Sequence, residues 1–206
     1  MGRVSKPPEI RKQELVDVAL SLFMEKGYEA VSVRDILKVV NGHPGMFYYY
    51  FASKQEIYNE AMRQMVQREL DVRTKIICDK EKSVLIRAKE LISQIQISIN
   101  SFYRTFNSPD NIAYQTQVIF DLLTAMATPV SQFMLEAVNE GMIPPEIGMN
   151  EENAYSMSLF LLFGCAGVIR AEEAQAEETQ NTLDIVHYLV PFISRFLGIS
   201  EEMLTP

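Results

Sequence analysis

The chain has 206 residues, of which 48% are hydrophobic, so it can fold as one compact unit or as two small ones. The formal net charge of −8 argues at first against a nucleic-acid partner. The charge is uneven, however, because residues 1–54 carry eight basic and six acidic side chains, whereas residues 55–206 carry 11 basic and 21 acidic ones. A mildly basic head is typical of a protein that presents one end to phosphates, although +2 over 54 residues is close to chance.

Composition also excludes several classes of protein. Cys78, Cys165, His43 and His187 show no metal-ligand spacing, so we expect no metal and no cofactor. The sequence has neither a phosphate-binding glycine loop nor a nucleophile with a placed histidine, which argues against an enzyme. The N-terminus lacks an apolar signal region, and the longest apolar run, 157–169, is shorter than a membrane span. We therefore expect a cytoplasmic protein with free thiols and no membrane partner.

Three short helices are predicted at the N-terminus. The first runs from Glu9 to Lys26 and is ended by Gly27. The second, 32–40, begins with a capping box of Ser32 and Asp35. A turn at 41–42 then precedes a third helix, with Pro44 in its first turn. Short helices with a tight turn before the third predict a helix-turn-helix unit, whose last helix can enter a major groove.

The third helix has an unusual surface, because three consecutive tyrosines lie in it. At helical spacing, Phe47, Tyr48 and Phe51 share one face and are predicted to be buried. The opposite face is then small at its start and aromatic-hydroxyl at its end, and it comprises Gly45, Met46, Tyr49 and Tyr50. Such a face can approach a partner closely and hydrogen-bond it. The alternative is a tyrosine-rich patch that packs under a neighbouring domain.

Three segments, 22–28, 32–36 and 47–54, resemble the N-terminal signature of the tetracycline-repressor (TetR) family, over roughly residues 10–60. The resemblance implies a dimeric one-component transcription factor, usually a repressor, with an N-terminal DNA-binding domain and a larger helical domain that usually senses a small molecule. Asn41, Gly42 and His43 depart from the pattern, since the family commonly has glycine, a small apolar residue and a capping Ser or Thr there. These departures predict a looser turn.

We predict the DNA contacts from this resemblance and from side-chain chemistry. Met46 offers apolar contact to a thymine methyl, and the tyrosine hydroxyls and Lys54 can donate to phosphates. Arg34 can reach a phosphate or a guanine edge, whereas Ser32 serves equally well as a helix cap. The predicted set is Ser32, Arg34, Pro44, Gly45, Met46, Tyr48, Tyr49, Tyr50 and Lys54.

The remaining chain also reads as helical, so we predict an all-α fold of about nine helices with domains at 1–52 and 53–206. A capping box of Ser53 and Glu56 opens a long helix to about Ile77. Further helices are predicted at about 84–106, 112–127, from Pro129 to near Gly141, 151–171 and 178–197. Pro191 predicts a kink or break near His187, one turn earlier.

The larger domain is predicted to dimerise and to bind an effector. Its last two helices are apolar on more than one side, which favours a four-helix interface between two copies, although the same residues can close a monomer core. The predicted dimer residues are Leu159, Phe163, Gly164, Gly167, Leu183, Val186, Val190, Ile193 and Leu197. A largely apolar pocket is predicted from Phe102, Tyr103, Phe106, Tyr114, Phe120, Met126, Phe133, Met134, Tyr155, Met157 and Phe160, with core packing as the alternative.

These patterns lead to one functional hypothesis and one alternative. The hypothesis is a dimeric repressor that a small hydrophobic or aromatic effector releases from a palindromic double-stranded DNA operator, with the helix from Ser53 to Ile77 as the lever. The alternative is a DNA-bound structural or partner-binding protein with no small-molecule effector.

Overall fold

The computed structural model describes residues 7–102, 112–175 and 184–206, and within these ranges the fold is all-α. Nine α-helices are found there, together with a short 3₁₀ turn at Pro145–Ile147. The helices are α1 (Pro8–Lys26), α2 (Val33–Val39), α3 (Pro44–Tyr50), α4 (Lys54–Cys78), α5 (Val84–Phe102), α6 (Ile112–Asn139), α7 (Ala154–Gln175), α8 (Ile185–Leu197) and α9 (Glu201–Leu204). The predicted fold class is confirmed.

The chain divides into two compact units. The first runs to Gln67 and takes in the start of α6 as far as Val118. The second contains residues 68–100 and the chain from Ile119 onward. Both α4 and α6 therefore contribute residues to both units. The predicted domain boundary between residues 52 and 53 stays a prediction.

The first unit is built on a continuous apolar core from α1 to α4. Phe23, Phe47 and Tyr58 are fully buried in it. The start of α6 is fixed to α4 by two hydrogen bonds within this unit. The Tyr114 hydroxyl donates to the Asn59 carbonyl at 2.7 Å, and the Gln115 amide donates to the Tyr58 hydroxyl at 3.3 Å. Because Phe47 of α3 is part of this core, the core fixes the position of α3.

In the second unit, a buried arginine joins three helices. Arg87 on α5 is 1% exposed and donates to both carboxylate oxygens of Glu136 on α6, at 2.6 and 3.1 Å. It also donates to the Ile77 carbonyl near the end of α4, at 2.6 Å, and its guanidinium lies over the Phe133 ring at 5.1 Å. The Glu136 carboxylate balances the buried charge of Arg87, and it also pairs with the exposed Lys80.

Two prolines lie inside helices that continue through them. The predicted helix start at Pro129 is wrong, since α6 runs unbroken from Ile112 to Asn139. Met126, Ala127 and Val130 are buried on both sides of the proline, and this burial offsets a cost of about 3 kcal/mol for the missing hydrogen bond. Likewise α8 does not break at His187, because it runs from Ile185 to Leu197 with Pro191 inside.

Helix α7 begins at Ala154 rather than near residue 151, because the Asn150 side chain accepts the backbone N–H groups of Glu152 and Asn153 and forms a turn there.

Helix α7 is more apolar than its burial within one chain requires. By length and composition alone, 114–139 of α6 and 154–171 of α7 are each long and apolar enough to cross a membrane, contrary to the expectation from the apolar run at 157–169. Half of the former window is buried, but only 17% of the latter.

Candidate nucleic-acid interface

Helix α2 begins with the predicted capping box. The Asp35 backbone N–H donates to the Ser32 hydroxyl at 3.2 Å, and the Ser32 backbone N–H donates to the Asp35 carboxylate at 2.9 Å. The Ser32 hydroxyl also donates to that carboxylate, and this bond is the main cause of the lowered pKa of Asp35. The structure thus gives Ser32 the capping role, while Arg34 is exposed on the same turn.

The turn between α2 and α3 is closed rather than loose, so this expectation is wrong. Asn41 adopts φ 49°, a left-handed conformation that asparagine tolerates. The Gly42 backbone N–H donates to the Leu37 carbonyl at 2.9 Å. His43 occupies the N-cap position of α3, where its Nδ1 accepts the Met46 backbone N–H at 3.2 Å. A histidine here does what Ser or Thr does at other helix starts.

Met46 fills the gap that Gly42 leaves. A side-chain carbon on Gly42 would lie 2.3 Å from Met46 Cε and 2.9 Å from Leu37 Cδ2. Met46 is accordingly half-buried and packs against the core of the first unit. Its methyl lies beside Gly42, and the expected contact with a thymine methyl stays a prediction.

The tyrosines of α3 divide differently from the sequence prediction. Phe47, Tyr50 and Phe51 form the inward face, at spacings i, i+3 and i+4. Tyr48, which was predicted to be buried, is 60% exposed, and Tyr49 is 74% exposed. Because α3 has only seven residues, a shift of one position changes which face a side chain occupies. The exposed face of α3 therefore carries Tyr48 and Tyr49 beside Pro44 and Gly45.

Lys54 is partly engaged within the protein. Its ammonium donates to the Tyr28 carbonyl at 2.9 Å and lies 3.9 Å from the centroid of the Tyr28 ring. The Tyr28 hydroxyl in turn donates to Gln55 at 2.9 Å. These contacts fix the start of α4 to the segment after α1. The sequence prediction was that the Lys54 ammonium donates to a DNA phosphate.

The predicted pocket residues fall into separate groups. Met126, Phe133 and Met134 are buried in the second unit, Met157 is half-buried, and Phe120, Tyr155 and Phe160 are exposed. Tyr114 belongs to the first unit. Tyr103, Phe106 and the side chain of Phe102 lie outside the described residues. The effector pocket therefore stays a prediction.

The predicted dimer residues also divide. Val190 and Leu197 are buried within a single chain, and Leu183 lies outside the described residues. Gly164 serves packing inside the chain, since a side-chain carbon there would lie 3.0 Å from Phe192 Cζ. A carbon on Gly167 would meet nothing within 4 Å. The partly buried members, which leave apolar surface accessible, are Leu159, Phe163, Val186 and Ile193.

Sequence reasoning missed an aromatic stack on the second unit. The Phe160 ring, on a side chain 64% exposed, stacks on Phe196 at 5.4 Å between centroids, and Phe196 stacks on Phe192 at 6.3 Å. The signal was present in the sequence as two phenylalanines at i and i+4, Phe192 and Phe196, which lie on α8.

Comparisons with known proteins agree with this geometry. The model of the family described as "Bacterial regulatory proteins, tetR family" matches residues 15–61. The negative transcriptional regulator IcaR of the biofilm operon icaADBC from Staphylococcus aureus strain Newman is 40% identical over 52 residues, which are 25% of this chain and 28% of that protein. The Staphylococcus epidermidis IcaR is 35% identical over 60 residues, 29% of this chain and 32% of that protein. The chain thus matches less than a third of the length of these relatives.

Solved structures match over almost the whole chain. A putative TetR-family regulator from Mesorhizobium loti is 14% identical with a TM-score of 0.68, and the match covers 94% of this chain and 98% of that one. A transcriptional regulator from Cytophaga hutchinsonii is 13% identical with a TM-score of 0.71, over 90% and 96% of the two chains. At such identities the likeness shows a shared fold.

Proposed function

We propose that the chain is a TetR-family transcriptional regulator, since residues 15–61 match that family, and that it represses transcription as a homodimer on a two-fold symmetric operator. The observation that carries the proposal is the exposed face of α3. Tyr48 and Tyr49 project from a helix that buried Phe47 and Phe51 hold against the core. Two hydroxyl donors on a rigid second helix suit phosphate contacts that set the register on a duplex.

The exposed positive charge of α2 supports the same interface. Arg34 and Lys38 are both exposed and stand one helical turn apart. The first helix of a helix-turn-helix crosses the backbone, where such charges neutralise phosphates and release counterions. Since α3 carries no charged side chain, we propose that sequence preference arises partly from DNA shape and half-site spacing.

Dimerisation is proposed through α7 and α8. The stack of Phe160, Phe192 and Phe196 leaves apolar surface accessible in the single chain, and the open space above Gly167 permits a close approach of another helix. Covering this surface with its own copy would form a four-helix interface and give the two-fold symmetry that a palindromic operator needs.

An effector is proposed to act within the second unit. Met126 and Met134 are buried side chains of α6, and because methionine is flexible they suit a hydrophobic or aromatic ligand. Since α4 and α6 contribute to both units, a ligand that favours one arrangement of these helices would alter α3 through Tyr114 and Asn59. Effector saturation is then expected to weaken operator binding, and unchanged affinity would argue against the lever.

The first experiment is selection of bound sequences from a random duplex library with the purified full chain, followed by affinity measurements against salt. We expect a palindromic site and a log affinity that falls linearly with log salt. Failure to enrich any duplex would overturn the proposal of specific DNA binding. A DNA-bound protein that has no effector would enrich a site, yet no small molecule would change its affinity. Binding to a genomic operator requires the cytoplasmic location that is expected from the sequence.

A further inference from the structure

We infer that His43 is a DNA-reading residue as well as a helix cap. The inference rests on the proposed DNA-binding function and adds to it one donor that fixes operator preference. The donor is the imidazole side chain and not a backbone N–H group at the start of α3.

The cap determines the tautomer of the imidazole. Nδ1 accepts the Met46 backbone N–H at 3.2 Å, so Nδ1 carries no proton. In a neutral imidazole the proton is then on Nε2, which becomes a donor. No protein acceptor for Nε2 is found among the residues that the structure describes, and the side chain is exposed. The cap therefore orients a donor that only a partner outside the protein can satisfy.

The surroundings of the ring leave that donor accessible to a duplex. The imidazole lies along Gly45, since a side-chain carbon there would stand 3.4 Å from Nδ1 and 3.5 Å from Cε1 of His43. Pro44 and Gly45 are both exposed and have no long side chain that would hold DNA away. Residues at this end of the second helix contact base edges in helix-turn-helix proteins.

The chemistry on the DNA is that of a hydrogen-bond acceptor, for which a purine N7 in the major groove and a phosphate oxygen are the two sources. The methyl of Met46 lies beside Gly42. Since the Nε2–H donor is neutral, losing it removes no counterion-releasing contact and leaves the salt dependence of binding unchanged.

The test compares His43→Ser with His43→Ala in the full chain, on the operator selected with the parent protein. Serine keeps a cap but lacks the reach of the imidazole, whereas alanine loses both functions. We expect the serine variant to unfold at the parent temperature, to bind about tenfold more weakly, and to keep the salt slope. The alanine variant is expected to lose thermal stability in addition.

Modified DNA distinguishes the two acceptors. When purines are replaced one at a time by 7-deazapurines, we expect one position per half-site where the parent loses affinity and the serine variant does not. If only a methylphosphonate has this effect, His43 contacts a phosphate, which carries no sequence information, and its role in sequence reading is overturned. A serine variant that binds as tightly as the parent, or that responds equally to every modification, would overturn the inference and leave His43 as a cap only. A parent chain that enriches no duplex would instead overturn the proposed function, and this inference with it.

Discussion

The methyl group of Met46 occupies the space beside Gly42, where a side-chain carbon would lie only 2.3 Å from Met46 Cε. The residue at the turn and the residue on α3 are therefore a complementary pair, in which the absence of a side chain at one position accommodates a long side chain at the other. This pairing explains how the turn closes without the small apolar residue that the TetR resemblance leads one to expect at position 42.

The pairing predicts energetic coupling between the two positions. Gly42→Ala forces the Met46 methyl and Leu37 Cδ2 to move and is expected to cost about 1–2 kcal/mol of unfolding free energy. In a Met46→Ala background only Leu37 Cδ2, at 2.9 Å, still has to move, so the same change should cost less, with a coupling of about 1 kcal/mol in a double-mutant cycle. Chemical denaturation followed by circular dichroism measures both values, and additive costs would contradict the pairing.

The buried charge of Arg87 makes Glu136 important for stability. Glu136→Ala leaves a guanidinium that is 1% exposed without its carboxylate, and we expect a loss of about 3–5 kcal/mol in unfolding free energy. The matched control is Glu146→Ala, at an exposed position, for which a change below about 0.5 kcal/mol is expected. Equal effects of the two substitutions in a denaturation series would show that the ion pair contributes little.

The ion pair of Arg87 and Glu136 also predicts that the unfolding free energy decreases at acid pH. Hydrogen bonds from Arg87, and secondarily from Lys80, lower the pKa of Glu136 from its ordinary 4.5 to about 2. A lowered pKa stabilises the folded state above pH 4.5 and loses that contribution as the pH falls from 4.5 towards 2. Because a quarter of the side chain is exposed, solvent screening limits the loss to about 2 kcal/mol. Unfolding temperatures of the parent and of Glu136→Gln, measured over this range, should converge as the pH decreases.

The sequence was sufficient to predict the features of this fold that depend on local chemistry. The capping box of Ser32 and Asp35 and the glycine that ends α1 were confirmed, because each depends on residues three or four positions apart. The all-α class followed from helical periodicity over long segments. These features need no knowledge of what packs against them.

Features that depend on packing were predicted less well. Pro129 is tolerated inside α6 because burial on both sides outweighs the lost hydrogen bond. The cap at His43 was missed because histidine is not among the residues that usually accept at a helix start, although its Nδ1 accepts the Met46 backbone N–H in the structure. Tyr48 was placed on the wrong face because seven residues do not fix a helical phase.

The exposed Tyr49 hydroxyl is predicted to contribute to DNA affinity. Tyr49→Phe removes one oxygen from a side chain that is 74% exposed, so folding should be unaffected while operator binding weakens about three- to tenfold. Tyr155→Phe, at an exposed tyrosine on α7, is the matched control and should leave affinity unchanged. Fluorescence anisotropy with a labelled operator gives both numbers. Parent-like binding by the α3 variant would place Tyr49 outside the interface.

The aromatic stack on the second unit gives a matched test of the dimer surface. Phe160 on α7 and Ile97 on α5 are almost equally exposed, at 64% and 63%, but only Phe160 belongs to the stack with Phe196. Phe160→Asp would place a charge in a desolvated interface and is expected to shift the dimer dissociation constant by at least about 100-fold. Ile97→Asp should leave it unchanged if α5 stays in solvent.

Light scattering across a dilution series measures the mass of each variant, and circular dichroism confirms that both remain helical. We expect the Phe160 variant to be monomeric and to bind the palindromic operator more weakly, because one subunit contacts only one half-site. Dissociation of the Ile97 variant alone would move the interface to α5. If both variants stay dimeric, the apolar surface of α7 must be covered by something other than a second copy of this chain.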